Sequence, residues 1–208
     1  MADIKVLSQA VIKGDQNAAL SLTEEALDQG VAPESILKDG LIEGMNVIGV
    51  RFKNNEVYIP EVLIAARAMK SAMDILEPRL VEAGVEPVAK AAVGTVQGDL
   101  HDIGKNLVVM MLKGAGFEVI DLGVDVTPEA FVAKAKQTGA EIIGMSALLT
   151  TTMPAMEKSI KALKDAAIDA KIMIGGAPVT QGYADKIGAD GYASDAASAV
   201  DLAKTLVA

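Results

Sequence analysis

The first 85 residues alternate apolar and polar positions with the period of an α-helix. One apolar stripe recurs at spacings of four and three residues, which places its members on one helix face: Val62, Ala66, Met69, Met73 and Leu76. Pro60 precedes this stripe and suits the first turn of a helix, where an N–H group has no partner to lose. Similar spacing runs from Ile36 to Phe52, and shorter helical segments cover 3–13 and 16–29. Four helices with short connections predict a small antiparallel four-helix bundle.

The pattern changes at Ala89, where short apolar runs begin to alternate with amphipathic helical segments. The runs cover 91–96, 117–123, 141–146 and 171–176, and a weaker run covers 190–194 before a last helix through Leu206. Runs of this length between helices are typical of a parallel sheet covered on both faces. The sequence therefore predicts a flavodoxin-like (Rossmann-like) α/β domain with a five-stranded parallel sheet. Gly84–Pro87 is the best linker, so the predicted domains are a helical-bundle cap (1–86) and an α/β domain (87–208).

Chemically useful residues follow the predicted strands at the point where each strand ends. Ligands of open parallel sheets bind at that edge, so these residues are candidates for one shared site. The candidate positions are Asp99-Leu100-His101, then Leu122-Gly123, then Ser146 to Thr152, then Gly175-Gly176. Two of them have ordinary alternatives, because Gly175-Gly176 is also a common loop and Ser146 can cap a helix.

His101 is the only histidine of the 208 residues, and the chain has no cysteine. An imidazole in a strand-to-helix loop can bind a metal through one nitrogen while a nearby carboxylate fixes its tautomer through the other. An ordinary zinc site would need carboxylates for all its other ligands, which is uncommon. A metal that brings most of its own ligands would need only this one. The alternative is a capping or surface histidine.

Composition and charge narrow the class of protein further. Hydrophobic residues make up 51% and aromatic residues 3%, and no apolar run reaches the roughly 20 residues of a membrane span. The N-terminus lacks the basic and apolar regions of a signal peptide, so we expect a soluble, cytoplasmic protein. The net charge of −9 makes nucleic acid a poor partner. The glycine-rich fingerprints of dinucleotide and nucleoside triphosphate sites are absent from the sequence.

Three motifs in order resemble the signature of cobalamin-binding domains. Asp99-Leu100-His101-Asp102-Ile103-Gly104 matches DxHxxG, Ser146-Ala147-Leu148 matches SxL, and Gly175-Gly176 matches the terminal GG. The segments 44–52 and 58–62 resemble the helical cap of the methionine synthase cobalamin module. As a two-domain chain, the protein resembles the small corrinoid subunits of anaerobic methyltransferase systems. The candidate methyl donors of such systems are methylamines, methanol, betaines and methoxylated aromatics.

The resemblance implies a role for each matching residue. His101 would be the lower ligand of the cobalt in a base-off cobalamin or related corrinoid. Asp99 would bond its other nitrogen, and Thr152 would extend that chain toward solvent. The implied cofactor contacts are Gly98, Leu100, Asp102, Ile103, Gly104, Leu122, Gly123, Ser146, Leu148, Thr150, Gly175 and Gly176. Phe52, Ile59 and Val62 would cover the upper face of the ring, with core packing of the bundle as the alternative.

The implied function is a two-stage methyl relay by a carrier subunit rather than by a stand-alone enzyme. Cobalt would take a methyl group from a substrate-specific methyltransferase, passing from Co(I) to methyl-Co(III). A second methyltransferase would move the methyl to an acceptor such as a tetrahydrofolate, and a reductive activase is a further implied partner. The alternative is a cobalamin-dependent sensor or regulatory binding module without methyl transfer.

Other protein classes fit the sequence less well. Coenzyme-B12 mutase subunits share DxHxxG but normally lack the helical cap, and cobalamin-sensing regulators add a DNA-binding domain. A response-regulator receiver needs clustered acids after its first strand and a lysine after its last. Here Asp99 and Asp102 flank a histidine instead, and Ser194-Asp195 follows the last strand.

Overall fold

The computed structural model describes residues 3–208, which divide into two compact units. The first contains the residues up to Pro87 together with Gly114–Gly116, and the second contains Val88–Lys113 and Phe117–Ala208. In the part of the chain that is described, none of the helices combines the length and the apolar character needed to cross a membrane.

The first unit is helical, as the sequence predicts. Its elements are α1 (Ile4–Lys13), α2 (Gln16–Asp28), α3 (Pro33–Ser35), a π-helical segment (Ile36–Ile42), α4 (Glu43–Lys53) and α5 (Ile59–Glu82). The side chains of Asp3 and Asp15 accept hydrogen bonds from the first turns of α1 and α2, which satisfies N–H groups that the helix leaves unpaired. The helix predicted from Ile36 to Phe52 forms as one helical stretch, but its first part, Ile36–Ile42, is π-helical, which the apolar periodicity does not indicate.

Small residues allow the helices of this unit to approach closely. A Cβ atom at Gly40 would lie 2.8 Å from Leu7 Cδ2, and one at Gly44 would lie 2.8 Å from Val11 Cβ. On α5 the fully buried face is centred on alanines, whereas Ala66 and Met73 of the predicted stripe are only half buried. Its buried members are Val62, Ala65, Ala68, Met69, Ala72, Leu76 and Leu80. The predicted stripe differs from the observed buried face because a pattern of hydrophobicity does not indicate where a small side chain is needed for two helices to approach closely.

The second unit contains a five-stranded, all-parallel sheet, which confirms the predicted fold class. Its strands are β1 (Lys90–Val96), β2 (Glu118–Val126), β3 (Ile142–Ser146), β4 (Lys171–Gly175) and β5 (Gly191–Ala193). Its helices are α6 (Ile103–Gly114), α7 (Pro128–Thr138), α8 (Met153–Asp165), α9 (Gln181–Ile187) and α10 (Ala196–Leu206). The strand order β2-β1-β3-β4-β5 is that of flavodoxin-like domains, whose ligands bind beyond the carboxyl ends of the strands. At that edge Thr95, Ser146 and Gly175 are paired across β1, β3 and β4.

The position of Leu122 and Gly123 differs from the prediction. They do not follow the second strand but lie inside it, because β2 continues to Val126. The pairing with β1 shifts by one residue between Val93 and Gly94, and Gly123 takes the left-handed φ of 79° at this bulge. A bulge inserts an unpaired residue and re-aims the strand, which sequence periodicity does not reveal.

Candidate functional site

The loop between β1 and α6, residues 97–102, presents an imidazole held by a carboxylate; we call it the histidine loop. His101 Nδ1 lies 2.7 Å from Asp99 Oδ1, and the backbone N–H of His101 donates to the same oxygen at 3.1 Å. The imidazole side chain is 51% exposed, whereas the carboxylate of Asp99 is fully buried. The ring is thus fixed on its Nδ1 side and open to solvent elsewhere.

The carboxylate of Asp99 accepts hydrogen bonds from two segments, its own loop and the loop after β3. Besides His101, the backbone N–H of Leu148 donates to Oδ2 at 2.8 Å, that of Leu149 at 3.3 Å, and the hydroxyl of Thr152 at 2.7 Å. Burial alone would raise the pKa of Asp99, but the hydrogen bonds from Thr152, His101 and Leu148 outweigh it and hold this pKa well below its usual range. Asp99 is therefore an ionised acceptor.

Thr152 contacts Asp99 as the resemblance implies, but its hydroxyl is buried. Its Oγ1 lies 2.7 Å from Asp99 Oδ2 and 2.9 Å from the carbonyl oxygen of Leu149, so its single proton can go to either acceptor. The residue is only 9% exposed. The link from His101 through Asp99 to Thr152 is present, whereas a continuation to solvent stays a prediction.

Two residues that the sequence analysis missed anchor the backbone of the histidine loop. The hydroxyl of the fully buried Thr95 donates to the carbonyl of His101 at 2.9 Å. The carboxylate of Asp125 accepts from Gly98 N–H at 2.7 Å, and the N–H of Asp125 donates to the carbonyl of Asp99 at 3.1 Å. Thr95 could have been noticed as a polar residue inside the apolar run 91–96, whereas Asp125 follows the run 117–123 and has no such signal.

Exposed apolar side chains flank the imidazole. Leu100 and Ile103 are 71% and 73% exposed, and Leu148 and Leu149, which meet Asp99 through their backbones, are also exposed. Large apolar side chains left in water beside a fixed polar group are typical of a ligand-binding surface rather than of a folding core.

The remaining predicted residues of the sheet unit lie at the same sheet edge but differ in their surroundings. Ser146 is half buried at the end of β3, Thr150 is exposed in the next loop, and Gly104 lies in the first turn of α6. Asp102 accepts from the side chain of Asn106 at 3.0 Å. A Cβ atom at Gly176 would overlap the carbonyl oxygen of Ala147.

The structure thus gives Gly176 a reason of its own for lacking a side chain. The loops after β3 and β4 approach each other at this point, and Gly176 has a φ of 127°, which side chains rarely adopt. A Cβ atom at Gly175 would lie 3.0 Å from the carbonyl oxygen of Ala193.

The three residues predicted to cover a ring lie in the helical unit. Ile59 begins α5 and is exposed, Phe52 on α4 is half buried, and Val62 on α5 is fully buried. Ile59 and Val62 are one turn apart on the same helix, which is the predicted spacing. The burial of Val62 means that this side chain is already packed by protein.

An ion pair of a buried lysine with a partly exposed aspartate, next to the motif, was also missed. Lys105 is 3% exposed, and its Nζ lies 2.6 Å from each carboxylate oxygen of Asp121. Burial by itself would raise the pKa of Asp121. The hydrogen bonds from Lys105 and from the N–H of Gly123 outweigh this effect, with a smaller contribution from the charge of Lys113, so the pKa lies below its usual value. The pair joins the first turn of α6 to the strand segment that carries the bulge.

We expect Asp121→Asn to lower the free energy of unfolding by about 1–2 kcal/mol near neutral pH. Breaking a fully buried pair costs about 3–5 kcal/mol, and the loss is smaller here because Asp121 is 39% exposed. The folded pKa of Asp121 lies below its unfolded value of about 3.9, so the stabilisation is present above about pH 4 and is lost as the pH falls through the folded pKa. Denaturant unfolding at several pH values measures the difference.

Glu118→Gln is the control for the loss of a charge from β2. Glu118 forms an exposed pair with Lys90 at 3.5 Å, and such pairs contribute about 0–1 kcal/mol. An Asp121→Asn defect that is equally large in acid would contradict an origin in the carboxylate charge.

Within residues 3–208, histidine, aspartate and glutamate side chains form no group of three or more that could hold a metal ion by themselves. The chemistry of the donor set fits a metal complex that needs one imidazole and an apolar surface beside it.

Comparison with known proteins gives matches along nearly the whole chain. A family model described as a B12 binding domain matches residues 89–201, and a second model with that description matches residues 4–77. Dimethylamine corrinoid protein 1 of Methanosarcina acetivorans is 44% identical over 208 residues, covering 99% of this chain and 97% of that protein.

Two solved structures share the fold and extend over almost all of this chain. A cobalamin-binding protein from Desulfitobacterium hafniense DCB-2 has a TM-score of 0.83 at 33% identity, with 100% of both chains covered. A chain of the methanol:cobalamin methyltransferase complex from Methanosarcina barkeri has a TM-score of 0.87 at 26% identity, covering 98% of this chain and 79% of that one. Since the first family model spans more than half of the residues and a 44% identical corrinoid protein is matched along nearly its whole length, the chain belongs to the B12-binding corrinoid proteins, whose members include the dimethylamine and trimethylamine corrinoid proteins of Methanosarcina.

Proposed function

We propose that this chain is a corrinoid methyl carrier in which His101 is the lower ligand of the cobalt and the cofactor is bound base-off. When bound, the cobalt supplies the chemistry: it accepts a methyl group from one methyltransferase and releases it to another. The observation that carries the proposal is the half-exposed imidazole of His101, whose Nδ1 is held 2.7 Å from the buried carboxylate of Asp99.

The ionised Asp99 favours one tautomer of the ring. A carboxylate is only an acceptor, so a neutral imidazole must carry its proton on Nδ1 to make this hydrogen bond. Nε2 then keeps its lone pair, on the side of the ring away from Asp99. This is how second-sphere carboxylates prepare histidine for metal coordination, and they also make the imidazole a stronger donor.

The surroundings of His101 suit a large, flat and mostly apolar ligand. The exposed side chains of Leu100, Ile103, Leu148 and Leu149 give it an apolar surface next to the imidazole. Gly98 and Asp102 complete the histidine loop, and Leu122 and Gly123 belong to the bulged part of β2 beside Asp121. Burial of these leucine and isoleucine side chains under a ring would contribute about 25 cal/mol per Å² of apolar surface.

In base-off binding the cofactor's own base, carried on a nucleotide tail, is displaced from the cobalt by the histidine. The proposal also assigns residues to this tail and to the face of the ring that carries the methyl group. Ser146 and Thr150 offer hydroxyls for the tail near the carboxyl ends of β3 and β4, where Gly175 and Gly176 present bare backbone. Phe52, Ile59 and Val62 are proposed to shield the methyl group from water. Of these three, the exposed Ile59 is the side chain most ready to do so.

The proposed partners follow from the carrier role. A substrate-specific methyltransferase would transfer the methyl group to the cobalt, and a second methyltransferase would pass it to an acceptor such as a tetrahydrofolate. A reductive activase would reduce cobalt that has become oxidised back to Co(I). The dimethylamine corrinoid protein and the methanol:cobalamin methyltransferase complex among the relatives support a methyltransferase as the first partner.

The test is anaerobic reconstitution of the wild type and of His101→Ala with hydroxocobalamin. We expect stoichiometric binding to the wild type, and corrin absorption bands that shift in the alanine variant because the axial nitrogen ligand is lost. Added imidazole should restore the wild-type bands in His101→Ala. Far-UV circular dichroism of both proteins controls for folding. A wild-type chain that retains no corrinoid, or bands unaffected by His101→Ala, would overturn the proposal.

A methyl-transfer assay separates the carrier from the alternative sensor. Reconstituted and reduced protein is mixed with a candidate methyltransferase and its methylated substrate, and the spectrum of the bound corrinoid is followed. Methylation that depends on the methyltransferase is expected of a carrier. A chain that binds cobalamin but is not methylated by any candidate system would favour the sensor.

A further inference from the structure

Asp125 holds the backbone of the histidine loop from two directions. Its carboxylate accepts from Gly98 N–H at 2.7 Å, and its own N–H donates to the carbonyl of Asp99 at 3.1 Å. One bond ends on Gly98, which precedes the Asp99–His101 pair, and the other ends on the backbone of Asp99 itself. The end of β2 thereby fixes a loop that belongs to β1 and α6.

The backbone of Asp125 is unusual for a residue with a side chain. Its φ is 54°, in the left-handed region that most residues avoid and that aspartate and asparagine tolerate best. The next residue, Val126, returns to the ladder opposite Val96, the last residue of β1. A residue held in this region, next to a site, by two hydrogen bonds to that site is a candidate for a functional role.

The other supports of the loop are buried, whereas Asp125 is exposed. Thr95, which donates to the carbonyl of His101, and Asp99 are both fully buried, so their replacement disturbs the core as well as the site. Asp125 can be changed without opening a cavity. It acts on the loop only through its two hydrogen bonds and its backbone conformation.

We infer that Asp125 is a positioning residue: it sets the backbone of Asp99 so that the carboxylate meets His101 Nδ1 and Nε2 is presented for coordination. This inference rests on the proposed function for its consequence at cobalt. Its geometric part concerns the protein alone and can be measured without a cofactor.

The experiment compares Asp125→Asn, Asp125→Ala and Asp125→Gly with the wild type. Asparagine keeps an acceptor oxygen and tolerates the left-handed φ, alanine loses the acceptor and strains the backbone, and glycine loses only the acceptor. Asp169→Ala is the control, because this exposed residue precedes β4 at the opposite edge of the sheet and carries the same charge.

The first readout is the ring nitrogen spectrum of the cofactor-free protein labelled with ¹⁵N-histidine, at alkaline pH. Because the chain has one histidine, the spectrum reports His101 alone. We expect one Nδ1–H tautomer in the wild type, in Asp125→Asn and in Asp169→Ala. In Asp125→Ala and Asp125→Gly the ratio of Nδ1–H to Nε2–H should fall about fivefold to tenfold, which is the change in an equilibrium constant that the loss of one hydrogen bond typically causes.

The second readout is the electron paramagnetic resonance spectrum of cob(II)alamin bound to the ¹⁵N-histidine-labelled protein, whose ¹⁵N doublet counts the molecules with His101 on the metal. The ratio of ligated to unligated cobalt should fall by a similar factor in the same two variants.

Wild-type tautomers in all variants would overturn the inference, as would an Asn variant that behaves like Ala. Recovery of wild-type behaviour in Asp125→Gly would also overturn it, since strain alone would then explain the alanine result. A protein that binds no cobalamin overturns the proposed function but leaves the first readout intact.

Discussion

Replacing Gly176 with alanine is expected to lower the free energy of unfolding of the sheet unit by about 3 kcal/mol or more. A Cβ atom there would overlap the carbonyl oxygen of Ala147, which is backbone and cannot rotate away. The φ of 127° adds a second penalty, because this region is almost confined to glycine. Relief would require the loops after β3 and β4 to separate.

Gly139→Ala is the matched control for Gly176→Ala. Gly139 ends α7 with a φ of 65°, and a Cβ atom there meets nothing within 4 Å. It should cost only the left-handed penalty of about 1–2 kcal/mol. Denaturant unfolding of the cofactor-free proteins measures both. Equal losses in the two variants would show that the approach of Ala147 does not matter.

The sheet was predictable because its strands are short apolar runs separated by helices, a pattern that few other folds produce. The same logic placed Asp99, Ser146 and Gly175 at one edge, since the carboxyl ends of parallel strands lie together. The pairing of His101 with Asp99 could be expected as well, because two residues in one loop need no long-range information to meet.

The parts of the site that were missed depend on contacts between distant segments. Asp125 lies 26 positions after Asp99 in the chain and reaches it only because β2 pairs beside β1 and bulges at Gly123. Lys105 follows the motif directly, but an exposed lysine and a buried one have the same sequence signal. The backbone N–H of Leu148 is invisible to any argument from side chains.

Asp99→Asn is expected to reverse the tautomer of His101 and to cost about 2–3 kcal/mol of stability. The carboxylate accepts from His101 on one oxygen and from Leu148 and Thr152 on the other. An asparagine has only one acceptor oxygen. If that oxygen faces Leu148 and Thr152, the amide nitrogen faces Nδ1, which must then accept, and the proton moves to Nε2.

An imidazole protonated on Nε2 cannot coordinate a metal through that atom, so this single exchange of oxygen for an NH₂ group should weaken His101 ligation without removing the ring. The ¹⁵N spectrum of the single histidine measures the tautomer in the cofactor-free protein, and the ¹⁵N splitting of cob(II)alamin bound to the labelled protein measures ligation by His101. Asp102→Asn removes the same charge from the residue that follows His101, whose carboxylate bonds Asn106 instead of the ring, and should leave the Nδ1–H tautomer in place. An Asp99→Asn protein that keeps this tautomer would mean that the asparagine oxygen faces Nδ1, with the cost moved to Leu148 and Thr152, and the predicted reversal would be wrong.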